Sequence, residues 1–134
     1  MPFALMRQIL SCLLVVLLLA CSEAARPDEG AVFEVMACRE STHAPDGERF
    51  RVRILDPIVI EQAAARVGKG QGLIVTGYTR DGDGGFNQPW TWHLDPGSVR
   101  FAEVTMELCD GCPTGLVAGV QFCPWSTEVL RRLQ

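Results

Sequence analysis

Positive charge is scarce in this chain: 12 lysines and arginines stand against 16 aspartates and glutamates, a net of −4. A nucleic-acid binder gathers a basic excess on one face to displace counterions from phosphates, so no nucleic-acid partner is expected. No apolar run reaches the roughly 20 residues that a spanning helix needs. No serine stands in a G-x-S-x-G setting, and Gly68-Lys69-Gly70-Gln71-Gly72 lacks the length and ending of a phosphate-binding loop. Cys109-Asp110-Gly111-Cys112 is a C-x-x-C, yet no second ligand pair stands at zinc-site spacing. Pro113, Gly115 and Gly119 follow it, where a redox motif wants a helix N-terminus. Internal repeats and low-complexity stretches are missing too. No catalytic residue, metal or cofactor is therefore assigned.

What is present begins with an address. Arg7 is the only charged side chain before Cys21, and the apolar run Ile9 to Ala20 is broken only by Ser11 and Cys12. The run stops at Cys21-Ser22-Glu23, a signal-peptide shape. Leu18-Leu19-Ala20-Cys21 resembles the bacterial lipobox, which implies cleavage before Cys21 and a diacylglyceryl lipid on its sulfur. Ordinary secretion, with cleavage after Ala24, is the alternative. At about 0.8 kcal/mol per buried CH₂, several acyl chains on one residue make a practically permanent membrane anchor. Ser22, in place of Asp, resembles the pattern that sends such lipoproteins to an outer membrane. The expected division is a signal over residues 1–20, a tether over 21–30 and one globular domain over 31–134. The localisation expected is the bacterial cell envelope, periplasm or outer membrane.

The domain reads as α+β: a small, mostly antiparallel sheet, one main helix and a short C-terminal helix, stapled by disulfides. Val32 to Ala37 is a strand candidate. Phe50, Val52 and Ile54 alternate with Arg49, Arg51 and Arg53, the period-two signature of a strand with one buried face. Asp56-Pro57 opens a helix whose body is Ile58 to Val67; Gly68 and Gly70 end it, and Ala63, Ala64 and Ala65 let it lie close to a sheet. Leu73 to Tyr78 and Pro89 to Leu94 look like antiparallel neighbours across the loop Thr79 to Gly85. Asp95-Pro96-Gly97 is a turn, Val99 to Leu108 a further strand, and Ser126 caps a short helix ending at Leu133.

With Cys12 lost in the signal and Cys21 lipidated, Cys38, Cys109, Cys112 and Cys123 remain in an oxidising compartment, where two disulfides are the default. Three connectivities are open. A Cys109–Cys123 bridge, which would leave Cys38 to Cys112, closes a loop of about 15 residues worth roughly 3 kcal/mol.

Several residues carry candidate chemistry. Trp90 and Trp92 share a strand face with Leu94, as core or as an exposed aromatic platform; core is the commoner use of side chains this large. Asp81-Gly82-Asp83-Gly84-Gly85 has alternating carboxylates suited to a hard cation, but the bidentate glutamate of a calcium loop is replaced by Phe86-Asn87-Gln88. His93 and Asp95 read as structural, the one hydrogen-bonded within the sheet and the other capping the turn. Glu103 and Glu107 lie about 13 Å apart on a strand, too far for a glycosidase pair. Cross-strand pairing with Arg49, Arg51 and Arg53 is their expected role, and an anion-binding arginine stripe is the alternative.

Three stretches carry a resemblance: Phe86-Asn87-Gln88-Pro89-Trp90-Thr91-Trp92-His93-Leu94-Asp95-Pro96, Glu107-Leu108-Cys109-Asp110 and Phe122-Cys123-Pro124-Trp125-Ser126. Together they resemble the BP-seventy-four amino-terminal domain family of small, mostly secreted domains, over about Ala31 to Leu133. The resemblance implies that Cys109 pairs with Cys123, with Cys38 and Cys112 as additions, and it implies no catalytic residue. The segment between Asp110 and Phe122 is shorter than the family's usual one.

The function expected is a non-catalytic binding module at the cell envelope, meeting a protein or glycan through Arg80, Asp81, Asp83, Asn87, Trp90, Trp92 and His93. A protease inhibitor presenting the glycine-rich loop is one alternative. A carbohydrate-active envelope enzyme is the other.

Overall fold

The structure, a computed structural model, describes residues 29–39, 44–70 and 72–134. The expected signal, Cys21 and all but the last two residues of the tether lie outside the described residues, as does His43. Among the described residues no helix is long and apolar enough to cross a membrane.

Among the described residues two small antiparallel sheets and one helix enclose the core, so the α+β expectation holds. Strand β1 (Ala31–Ala37) is flanked by β2 (Glu48–Ile54) and by β7 (Thr127–Arg132) in the order β2-β1-β7. Every residue of β1 is buried, which explains its near-continuous apolar sequence: a central strand covered on both faces has no wet side to mark with polar residues. In β2 the expected alternation is realised, with Phe50, Val52 and Ile54 buried between Arg49, Arg51 and Arg53. The helix α1 (Pro57–Arg66) starts where Asp56 Oδ1 accepts the Ile58 amide at 2.9 Å with proline at the first position. Val59 and Ala63, one turn apart, face the core; Ala64 and Ala65 face water, so only one of the three alanines meets the sheet. Gly68, at φ +68°, supplies the left-handed step that ends the helix.

The second sheet is organised around β3 (Ile74–Asp81), which pairs antiparallel with β4 (Trp92–Leu94), β5 (Arg100–Ala102) and β6 (Gln121–Phe122). The expected pairing across the glycine-rich loop is therefore present, although β3 runs on to Asp81 and β4 begins only at Trp92. Phe50, Trp92 and Phe122 form an aromatic triangle with ring centroids 5.7 to 6.1 Å apart at the centre of the core.

Two expectations are corrected. Ser126 caps no helix: Thr127–Arg132 is β7, paired with β1 from Ala37↔Thr127 to Phe33↔Arg132 with a register shift at Glu34/Val35. The open edge of β1 is the reason, since its amides and carbonyls need a partner and the helix formers Glu128, Leu130 and Arg131 are outvoted. The strand expected over Val99 to Leu108 ends at Ala102, and the chain continues irregularly through 3-10 turns at Glu107–Cys109 and Pro113–Gly115.

Candidate functional site

The segment expected to bind a partner turns out to be a clasp between the two sheets. After Gly82 the chain turns back on Asp83, whose Oδ1 accepts the Gly85 amide at 2.8 Å and whose carbonyl accepts the Asn87 amide at 2.9 Å. Gly84, at φ +63°, passes so near His93 and Phe86 that a Cβ would stand 2.8 Å from each ring. Asn87 is fully buried: its Oδ1 accepts the Arg51 amide at 2.7 Å and its Nδ2 donates to the Trp92 carbonyl at 2.8 Å. The Trp90 indole donates to the Arg49 carbonyl at 2.8 Å. These side chains pair with backbone groups of β2 and so cover an edge that would otherwise offer itself to another strand.

Other members of the expected site are engaged in the same way. Trp92 is 3% exposed and donates to the Pro113 carbonyl at 3.1 Å, so it is core and no two-tryptophan platform forms. Trp90 is half-buried, its ring centroid 5.9 Å from that of Trp92. His93 Nδ1 sits 2.7 Å from the Gly82 carbonyl, which makes that nitrogen the protonated one. Asp95 caps its turn by accepting the Gly97 amide at 3.1 Å and pairs with Arg80 at 2.7 Å. Hydrogen bonds from Arg80 first and then from Gly97 hold the Asp95 carboxyl below the ordinary carboxylate value; those from Gly85 and Gln88 do the same for Asp83. Arg80 and Asp81 remain exposed. Among the described residues no group of three or more His, Cys, Asp or Glu is placed to hold a metal ion.

Glu103 and Glu107 do not lie across from the arginine stripe. The neighbours of Arg49, Arg51 and Arg53 in the sheet are Met36, Glu34 and Val32 of β1, while both glutamates sit exposed on the irregular segment. Among the described residues neither takes part in an ion pair, and Glu34 is instead held by Arg131 at 2.9 Å.

A cluster of exposed apolar side chains lies elsewhere, on the loops between Val104 and Trp125. Val104, Met106 and Leu108 are 80%, 61% and 96% exposed, and Val117 and Trp125 on the facing stretches are 62% and 59% exposed. These loops are nonetheless firmly held. Disulfides Cys38–Cys112 and Cys109–Cys123, with Cα separations of 5.8 and 5.1 Å, fasten them to the end of β1 and to each other. Glu48 Oε2 accepts the Thr114 amide and hydroxyl at 2.7 and 2.8 Å, Thr79 donates to the Val117 carbonyl at 2.7 Å, and Asp110 accepts the Trp125 amide at 3.2 Å. A cleft of about 280 Å³ opens among Leu108, Asp110, Leu116, Val117 and Val120. The signal in the sequence was the alternation of Val104, Met106 and Leu108 with Thr105 and Glu107, which reads as a half-buried strand and stands here in water.

The chain matches the model of the BP-seventy-four amino-terminal domain over residues 31–134 and belongs to that family. No curated protein and no solved structure matches it.

Proposed function

We propose that this member of the BP-seventy-four amino-terminal domain family is a non-catalytic binding module of the cell envelope, tethered through a lipid on Cys21, and that its disulfide-braced loops meet a protein partner. The observation that carries the reading is Leu108, 96% exposed on a segment fixed by two disulfides. Singly exposed apolar side chains are ordinary in a monomer, but Val104, Met106 and Leu108 expose three on one short stretch, and burial against a partner would contribute roughly 1.5–3 kcal/mol for each. Preorganisation by the disulfides lowers the ordering cost of binding. Glu103, Glu107 and Asp110 are exposed beside the apolar residues, so the complementary surface has an apolar centre and a basic rim.

The position of the anchor supports a partner over the bilayer. The tether joins β1 at Ala31, whereas the loops join its other end at Cys38, and seven strand residues separate the two by about 23 Å. A lipid on Cys21 would then hold one end of the domain and leave the loops at the far end.

The test is site-specific photo-crosslinking from Leu108 in the intact, lipidated chain, with Ile58 on the helix, 68% exposed, as the control position. A discrete adduct from Leu108, absent from Ile58 and lost on Met106→Asp, is expected. Equal adducts from both positions, or none, would remove the reading. Labelling with a fatty-acid analogue, abolished by Cys21→Ser, tests the anchor separately.

A further inference from the structure

On the face of β2 turned away from the core lies a second feature, independent of the exposed loops. We infer that Arg51 and Arg53, with the turn at Phe86, form a binding site for a small organic oxyanion, a carboxylate or phosphate carried on a compact apolar body.

The two arginines are at i and i+2 of one strand, so both project from the same face about 7 Å apart. They line a cleft of about 290 Å³ together with Val32, Phe86 and Leu133. Each guanidinium is already placed: Arg51 Nη1 lies 3.5 Å from the Phe86 carbonyl, and the Arg53 guanidinium carbon sits 5.2 Å from the centre of the Phe86 ring. Among the described residues no carboxylate lies within ion-pair distance of either one. Glu34, opposite Arg51 in the register, gives both oxygens to Arg131. Gln134 also borders the cleft, but its main-chain oxygen is taken by Arg132 Nε at 2.7 Å.

The decisive detail is Arg53 Nε, a buried charged donor with no hydrogen-bond partner among the described residues. Buried N–H groups are almost always paired, and an unpaired one on a cation is the costliest kind to leave so. A planar oxyanion that draws the guanidinium toward the cleft can accept from Nε and an adjacent Nη, in the fork geometry that arginine favours. Val32 and Leu133 give the remaining wall an apolar character, and the modest volume limits the ligand to a small one.

The experiment follows the arginine Nε–H resonances of the full chain in detergent while benzoate, phenyl phosphate or chloride is added. The expected result is a saturable shift at Arg51 and Arg53 with benzoate, phenyl phosphate or both, the responding probe identifying the oxyanion. Chloride and the exposed Arg49 act as controls. Arg53→Gln and Arg51→Gln should each weaken binding by about tenfold or more. Arg53→Lys, which keeps the charge and loses the fork, should weaken it as well. Failure of both organic probes to saturate by about 10 mM, equal shifts at Arg49, or undiminished binding in Arg53→Lys would overturn the inference.

Discussion

The clasp at Phe86 to Leu94 and the loops from Val104 to Trp125 are both rich in large apolar side chains, and they treat them in opposite ways. In the clasp Phe86, Trp92 and Leu94 are buried, and the polar groups of Asn87 and Trp90 find backbone partners on β2 and β4. In the loops Leu108, Val104 and Trp125 face water, while the backbone beneath them is held by disulfides and by side chains reaching in from Glu48, Thr79 and Asp110. One region is fixed because its apolar surface is used internally. The other is fixed by other means, which leaves its apolar surface free for use elsewhere. A rich aromatic motif therefore signals a core at least as readily as a site.

Separating the two supports should have its largest effect at Cys38–Cys112. The bridge spans 74 positions, and in the chain-entropy model its loss destabilises the domain by about 4.5 kcal/mol. Urea unfolding of the Cys38→Ser/Cys112→Ser pair measures this. Amide exchange in the same variant should rise first around Gly111 to Val120, with Asn87 and Trp92 still protected. Uniform loss of protection would show that the loops and the clasp form a single cooperative unit and would break the contrast.

The clasp is tested at Asn87. Asn87→Ala leaves the Arg51 amide and the Trp92 carbonyl unpaired, at an expected cost of about 3 kcal/mol. Asn87→Asp separates the halves of this contact, because it retains an acceptor for the amide but sets a carboxylate against the carbonyl. It should be no more stable than the alanine variant. Chemical denaturation reads both, and a cost below about 0.5 kcal/mol would mean that water replaces the side chain at an open edge.

The contrast also explains what could be read in advance. Strand β2 was legible because its arginines and apolar residues alternate over six positions, and α1 because Asp56-Pro57 and Gly68 mark both ends. Strand β7 was not, because only Thr127 and Val129 show the alternation and the residues around them favour helix; the demand for a strand comes from β1, almost a hundred positions away. The pairing of Cys109 with Cys123 came with the family resemblance, and Cys38–Cys112 followed as the remaining pair. Asn87 was singled out for the wrong reason, since its partners on β2 and β4 are brought to it only by the fold. The strand expected through Leu108 ends at Ala102, because alternation says that two faces differ and is silent on whether either meets a neighbouring strand.

The smallest expected effect is the most discriminating. Leu108→Ser removes a side chain that is 96% exposed, so its stability should change by no more than about 0.5 kcal/mol in thermal or urea unfolding. A buried leucine cut back in the same way would cost about 2–5 kcal/mol. A loss in that larger range would mean that Leu108 is covered within the folded monomer, and the binding role assigned to these loops would go with it. Unchanged stability together with loss, in Leu108→Ser, of an adduct formed from a photo-crosslinker placed at Met106 would put the side chain's contribution outside the domain, against a partner.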